Sequence, residues 1–231
     1  MPDYTTSAQR LLFAATHRAA DANNPLALPV ASIPRGNLHT LKNRAMRCQA
    51  CPLWAPATQT VFGKGRANAP LMLIGEQPGD REDKQGRPFT GPAGALLQRA
   101  LDAAELQHTD IYLTNVMKHF KFERHGKTRL HKRASAAEQA ICRRWLAAEM
   151  LQLQPVAVIA LGAMAAQTLF GRDFRLTSEL GVWRQLPRFV GLGTWHPSAI
   201  LRARSSALRE EMFQQLVQHL QSARLQLEQK A

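Results

Sequence analysis

Hydrophobic residues gather in four short runs: PLMLIGE (70–76), DIYLTNV (110–116), PVAVIALG (155–162) and RFVGLGTW (188–195). Each is bounded by turn-forming residues and suits a buried strand. Between them, apolar positions recur at helical spacing in PAGALLQRALDAAEL (92–106), SAAEQAICRRWLAAEML (135–151) and AMAAQTLFG (163–171), and a last amphipathic stretch begins at Ser205. Ser135 with Glu138 three residues later has the spacing of a capping box, which marks a helix start. Strands alternating with helices predict an α/β fold, a parallel sheet with helices on both faces. Residues 1–36 differ from this pattern: Ser7–Asp21 reads as one short helix, and NNPLALPVASIPRGN, with three prolines, reads as a linker. The chain therefore divides into an extension, 1–36, and one domain, 37–231.

In open parallel sheets the ligand site lies beyond the carboxyl ends of the strands. The first strand is followed by GEQPGD, the second by MKHFKF, and the fourth by HPSAILRAR. The third is followed by GAMAAQ, which reads as packing only. The segment after MKHFKF, HGKTRLHKRAS (125–135), shows no helix or strand period and is crowded with cations, including Lys127, Arg129, Lys132 and Arg133.

Charge sharpens the picture. Thirty Lys and Arg against 17 Asp and Glu leave a net charge of +13, which points to a polyanionic partner, above all nucleic acid. No apolar run approaches the roughly 18 residues of a membrane span, and LLFAA near the N-terminus is too short for a signal-peptide core. The reading is cytoplasmic and nucleoid-associated. Three cysteines are an odd number for a disulfide framework. Cys48 and Cys51 form a C-x2-C pair followed by Pro52, a spacing that sets two thiolates on one turn around a metal. Cys142 supplies a third thiolate, and His119 is a candidate fourth ligand. Zinc and iron–sulfur both stay open on these residues, as does ordinary burial of reduced thiols.

Glu76, Gln77, Asp80, Asn115, His131 and His196 all fall at strand ends or in the segments after them. Singly, each has a plain structural role, such as a turn cap or a satisfied loop histidine. Together at one sheet edge, with Phe89 in the glycine-rich FTGPAG and a basic rim, they suit a pocket for an extruded base.

GEQPGD, PFTGPAGALL, TNVMKHFKF, HPSAILR and the C-x2-C start resemble the iron–sulfur uracil-DNA glycosylases, related to the family 4 enzymes. Within these the chain resembles the UdgX group, whose mark is a basic K-R-R-I-H loop; here it reads KTRLH, Lys127 to His131. The resemblance covers about residues 40 to 220. It implies an α/β/α sandwich around a four-stranded parallel sheet, and a 4Fe–4S cluster on Cys48, Cys51, His119 and Cys142. It implies catalytic roles for Glu76, His131 and His196, and uracil or DNA contacts at Gln77, Asp80, Phe89, Asn115, Lys127, Arg129, Ser198 and Arg202. Thr128, Leu130 and KRAS after the loop depart from the group pattern; Arg129 and His131 keep it.

The resemblance implies a monomeric DNA repair protein that excises uracil, preferring single strands, and keeps the sugar bonded to His131. Cations around His131 would grip phosphates and disfavour the imidazolium. Two other readings are a turnover glycosylase in which His131 is only a phosphate contact, and a non-catalytic iron–sulfur nucleic-acid-binding protein.

Overall fold

A computed structural model describes residues 28–229; the short helix expected at Ser7–Asp21 lies outside them. The chain enters through a helical turn at residues 30–32, and Ile33, within the expected linker, is buried in the core. Helix α1 (Leu38–Ala45) follows, capped by the Asn37 side chain accepting from Thr40 N–H. Then come β1 (Lys64–Gly65), β2 (Leu71–Gly75), α2 (Asp80–Gln85), α3 (Pro92–Ala103) and β3 (Ile111–Asn115). Strands β4 (Phe122–His125) and β5 (Thr128–His131) lead into α4 (Ala136–Leu153), β6 (Ala157–Leu161), α5 (Ala163–Phe170) and α6 (Leu176–Glu179). The chain closes with β7 (Arg184–Gln185), β8 (Val190–Thr194), α7 (Pro197–Leu201) and α8 (Ser206–Glu228).

The expected four strands are present and mutually parallel, but the sheet has six strands of mixed orientation, in the order β1-β3-β2-β6-β8-β7. The two additions are two-residue edges, each antiparallel to its neighbour. Neither carries an apolar run, so neither leaves a periodic signal. Alternate residues of the central strands feed two cores. Met72, Ile74, Val158 and Ala160 pack with α1, α4 and α5; Leu71, Leu73, Ile159 and Leu192 pack with α3 and α8. These are the three layers of an α/β/α sandwich.

After β2 the chain pairs first with β3 on one side, and the later β6 pairs on the other. The direction of strand addition reverses there, so the crevice opens beyond the ends of β2 and β6.

The basic segment, expected to be irregular, is a hairpin. β4 pairs antiparallel with β5, Phe122 opposite His131 and His125 opposite Thr128. Gly126, at φ 58°, supplies the left-handed residue that a two-residue hairpin turn needs. Its strands are mostly exposed, so the apolar alternation that signals a strand is missing; tertiary ties hold it instead.

Candidate active site

A cavity of about 700 Å³ opens at the switch point, and Glu76, Gln77, Phe89, Asn115, His131, His196 and Ser198 line it. Its wall also includes Leu161, Gly162, Ala163 and Met164. The end of β6, expected to be packing only, is thus part of the site. Gly162 takes φ 90°, and a Cβ there would stand 3.0 Å from His196 Cβ, so the residue type is set by the close approach of that histidine.

The β2–β3 register places Gly75 opposite Asn115. The ladder continues through Val116 N–H to the Gly75 carbonyl (2.9 Å) and Met117 N–H to the Glu76 carbonyl (3.0 Å). Glu76 and the buried Asn115 amide are therefore neighbours by strand pairing. Gly75 makes room for both walls: a Cβ there would collide with Asn115 Oδ1 and lie 2.8 Å from Phe89 Cζ. Phe89 itself has φ 55°, a costly conformation for a non-glycine residue, and its carbonyl packs where a Cβ on Gly94 would fall. The two turns GEQPGD and FTGPAG are stapled by Glu82, whose buried carboxylate accepts from Gly79 N–H at 3.0 Å and Gly91 N–H at 2.7 Å. Glu82 is absent from the residues singled out in the sequence, although a glutamate at the third position of a helix is a known capping signal.

Across the cavity, His196 Nδ1 accepts from Ser198 N–H at 3.1 Å and lies 2.7 Å from Ser198 Oγ. A ring nitrogen that accepts carries no proton, so the proton resides on Nε2. Burial, with Arg202 and His131 nearby, pushes the His196 pKa down to about 4. At neutral pH the ring is an uncharged Nε2–H donor. Phe89 lies 6.3 Å from it, ring centre to ring centre. His131 stands at the mouth, half exposed, with Nε2 3.8 Å from Glu76 Oε1. That carboxylate oxygen is buried and has no hydrogen-bond partner among the described residues.

The hairpin is pinned at two points. Gln77 Nε2 donates to the Lys121 and Lys132 carbonyls at 3.1 and 3.2 Å, one on each strand's flank. Arg129 donates to Asp80 at 2.5 Å and to the fully buried Asp83 at 2.7 Å, and its guanidinium stacks over Phe122 at 4.9 Å. Asp83 in turn accepts from Thr58 N–H at 3.0 Å. Arg129 and Asp80, expected as DNA contacts, are thus engaged with each other; Lys84 and Arg129 hold the Asp80 carboxyl below its usual range. Lys132 pairs with Glu123, so two of the cations expected to crowd His131 have carboxylate partners. Lys127 sits exposed at the hairpin turn and lines no wall of the cavity. Arg202 and Ser198 lie on the wall shared with a second depression of about 450 Å³ that also includes Arg81 and Leu201.

Residues 62–221 match the Uracil DNA glycosylase superfamily. The chain belongs to that superfamily. Its relatives include several proteins named Type-4 uracil-DNA glycosylase. That of Thermotoga maritima is 33% identical over 176 residues, covering 74% of this chain and 87% of the relative. That of Pyrobaculum aerophilum is 33% identical over 183 residues, 76% of this chain and 89% of its own. That of Archaeoglobus fulgidus is 30% identical over 185 residues, 76% of this chain and 87% of its own.

In this member of the glycosylase superfamily the expected metal ligands sit away from the cavity, where the end of α1, the turn after β3 and α4 meet. No three His, Cys, Asp or Glu among the described residues converge as a single ion requires. Two of the sulfurs receive N–H donors: Trp145 Nε1 to Cys48 Sγ at 3.3 Å, and Lys118 N–H to Cys142 Sγ at 3.2 Å. Donors of this kind suit thiolates on an extended cluster. Burial opposes ionisation at Cys48, but hydrogen bonds from the Ala50 backbone, Trp145 and Arg144 outweigh it and hold the thiol below its usual value. Burial pushes Cys142 up to about 12. His119 is buried, which holds its pKa down. Thr60 Oγ1 gives its proton to the Ala45 carbonyl at 2.9 Å, so at 2.9 Å from His119 Nε2 it accepts. His119 then carries its proton on Nε2 and leaves on Nδ1 a lone pair that could bind a metal. Sulfurs that accept N–H donors, beside a histidine with a lone pair on Nδ1, form a donor set that could hold a metal centre.

Lys118, a neighbour of the basic segment in the sequence, is not a surface cation. It is 1% exposed and paired with Glu149, itself fully buried, at 2.6 Å.

Proposed function

We propose that this protein excises uracil from DNA, preferring single strands, and that His131 then captures the sugar in a covalent bond. The observation that carries the reading is the placement of His131 Nε2 at 3.8 Å from the unpartnered Glu76 oxygen, on a hairpin pinned by Arg129 and Gln77. A flipped uracil enters the cavity against Phe89 and meets the Asn115 amide, which offers both a donor and an acceptor to N3–H and O4. The bond between uracil N1 and C1′ breaks, and its electron pair leaves with the base. The His196 Nε2–H donates to O2, where negative charge gathers only as the bond opens. The Glu76 carboxylate stabilises the cation growing on the sugar. His131 Nε2 gives its lone pair to C1′, Nδ1–H releases a proton, and the uracil anion takes one up. Water competes for C1′; the histidine prevails through the high effective concentration of a group already in place.

The same reading assigns a 4Fe–4S cluster to Cys48, Cys51, His119 through Nδ1, and Cys142. Bound there, the cluster would supply a rigid cross-link between three segments and no step of the reaction. No helix of the described residues is long and apolar enough to cross a membrane. The proposal has the protein act as a monomer at the nucleoid, drawn to DNA by its net charge of +13.

The test is a denaturing gel. Wild type with uracil-containing single-stranded DNA should give a band stable to SDS and heat, and thymine-containing DNA none. His131→Ser should lose the band and release uracil with turnover, leaving alkali-labile abasic sites. An adduct that persists in His131→Ser would place the covalent role elsewhere. Free turnover by wild type without an adduct would reduce the proposal to an ordinary glycosylase.

A further inference from the structure

No step of the excision uses the buried ion pair beneath the cavity. Lys118 Nζ donates to Glu149 Oε2 at 2.6 Å, to Thr114 Oγ1 at 2.7 Å and to the Asn115 carbonyl at 2.8 Å. All three ammonium protons are thereby used. Glu149 is equally saturated: Oε1 accepts from Tyr112 O–H at 3.0 Å, Gly63 N–H at 3.0 Å and Thr114 Oγ1 at 3.1 Å. Burial, together with proximity to that carboxylate, holds the Tyr112 hydroxyl far from ionisation. Glu149 lies towards the C-terminal end of α4 among buried apolar residues, and no sequence motif marks it.

A pair of charges this deep is a costly way to stabilise a fold, since well-packed apolar side chains of similar volume do as well or better. What an apolar pair cannot do is hold a carbonyl in one orientation. The carbonyl held here belongs to Asn115, the last residue of β3, whose amide lines the cavity. Beyond Asn115 the backbone keeps two more hydrogen bonds to the β2 side, from Val116 and Met117, and then turns through Lys118 and His119. Lys118 reaches back three residues across that turn, and Glu149 anchors Lys118 from α4. Thr114, next to Asn115, is tied to both charges.

We infer that Lys118 and Glu149 form a positioning pair that fixes the Asn115 amide for reading the edge of the base, so that discrimination for uracil depends on an ion pair outside the pocket. This rests on the assignment of Asn115 as the uracil-reading amide.

The experiment measures inhibition by free uracil alongside affinity for uracil-free single-stranded DNA, using the full chain in wild type, Asn115→Ala, Lys118→Met/Glu149→Leu, and the triple combination. Both charges are removed together because either alone would leave the other buried and unpaired. The pair substitution should raise the uracil inhibition constant about tenfold or more, leave uracil-free DNA affinity unchanged, and have no further effect when Asn115 is already alanine. Thr114→Val, nearly isosteric and charge-neutral, should raise the constant about threefold with the fold intact; it decides the matter if the pair substitution fails to fold. Wild-type inhibition in a folded pair variant, or in Thr114→Val where only that variant folds, would overturn the inference. So would an effect that persists in full on the Asn115→Ala background. Wild-type inhibition in Asn115→Ala itself would instead remove the reading of the site on which the inference stands.

Discussion

Replacing His196 by alanine should change both the chemistry and the pH dependence of stability. The chemical part follows from the neutral Nε2–H that faces the cavity. Removing one fixed donor from a developing oxyanion costs about 10²–10³ in rate, and single-turnover excision at pH 7.5 should slow by that factor. The stability part has two terms. His196 Nδ1 caps the Ser198 N–H, and losing a cap costs about 1 kcal/mol. Against this stands the burial of the ring, which holds its pKa at about 4 in the folded protein, whereas an unfolded histidine protonates near 6.5. As pH falls from 7 the unfolded chain takes up this proton first. The contribution is therefore fully present above about pH 6.5 and is lost progressively towards pH 4, by about 2 kcal/mol at pH 5. The variant lacks that loss. Urea melts followed by tryptophan fluorescence should find His196→Ala less stable by about 1 kcal/mol at pH 7.5. The two stability curves should cross between about pH 6 and pH 5. Curves that run parallel down to pH 5, or excision within tenfold of wild type, would refute the assignment of His196 as a buried neutral donor.

Gly75→Ala should fold, since only side chains obstruct the new methyl, but it should lose uracil selectivity as Asn115 Oδ1 and Phe89 are displaced; relative excision from uracil- and thymine-containing strands checks this. Asp83→Asn removes the buried half of the Arg129 clasp; it should cost about 2 kcal/mol in urea melts and slow adduct formation more than uracil binding, and unchanged adduct kinetics would show the hairpin to be held by other means. The purified protein should be brown and contain iron, and chelation under reducing conditions should lower the melting temperature; zinc without iron after anaerobic purification would remove the cluster assignment. Affinity for single-stranded DNA should fall steeply with salt as counterions are released from the phosphates, given the net charge of +13; a flat response in a salt titration would mean that the positive surface does not follow the strand.

The sequence by itself determined the four central strands, the long helices α3, α4, α5 and α8 and the strand ends that carry Glu76, Asn115 and His196, because burial on both faces of a sheet and on one face of a helix imposes a period that can be counted; the short helices α2 and α6 leave no such period. It did not determine the two edge strands, each two residues long, or the hairpin of β4 and β5, whose strands face solvent and take their order from Gln77 and from the clasp of Arg129 on Asp80 and Asp83, far away in the chain. It named candidate histidines but not which ring nitrogen of each holds the proton. The proton on His196 Nε2 follows from Ser198, and that on His119 Nε2 from Thr60 and Ala45, contacts that only folding creates. Charge was the least legible property. Arg129, Asp80, Lys118 and Glu149 are polar letters in a sequence, and polarity alone predicts a solvated surface. The tertiary structure decided otherwise, pairing Arg129 with a buried aspartate and sealing Lys118 with Glu149 beneath the site. A charge leaves water only where a partner and hydrogen bonds meet it, and these partners lie 46 and 31 residues away along the chain.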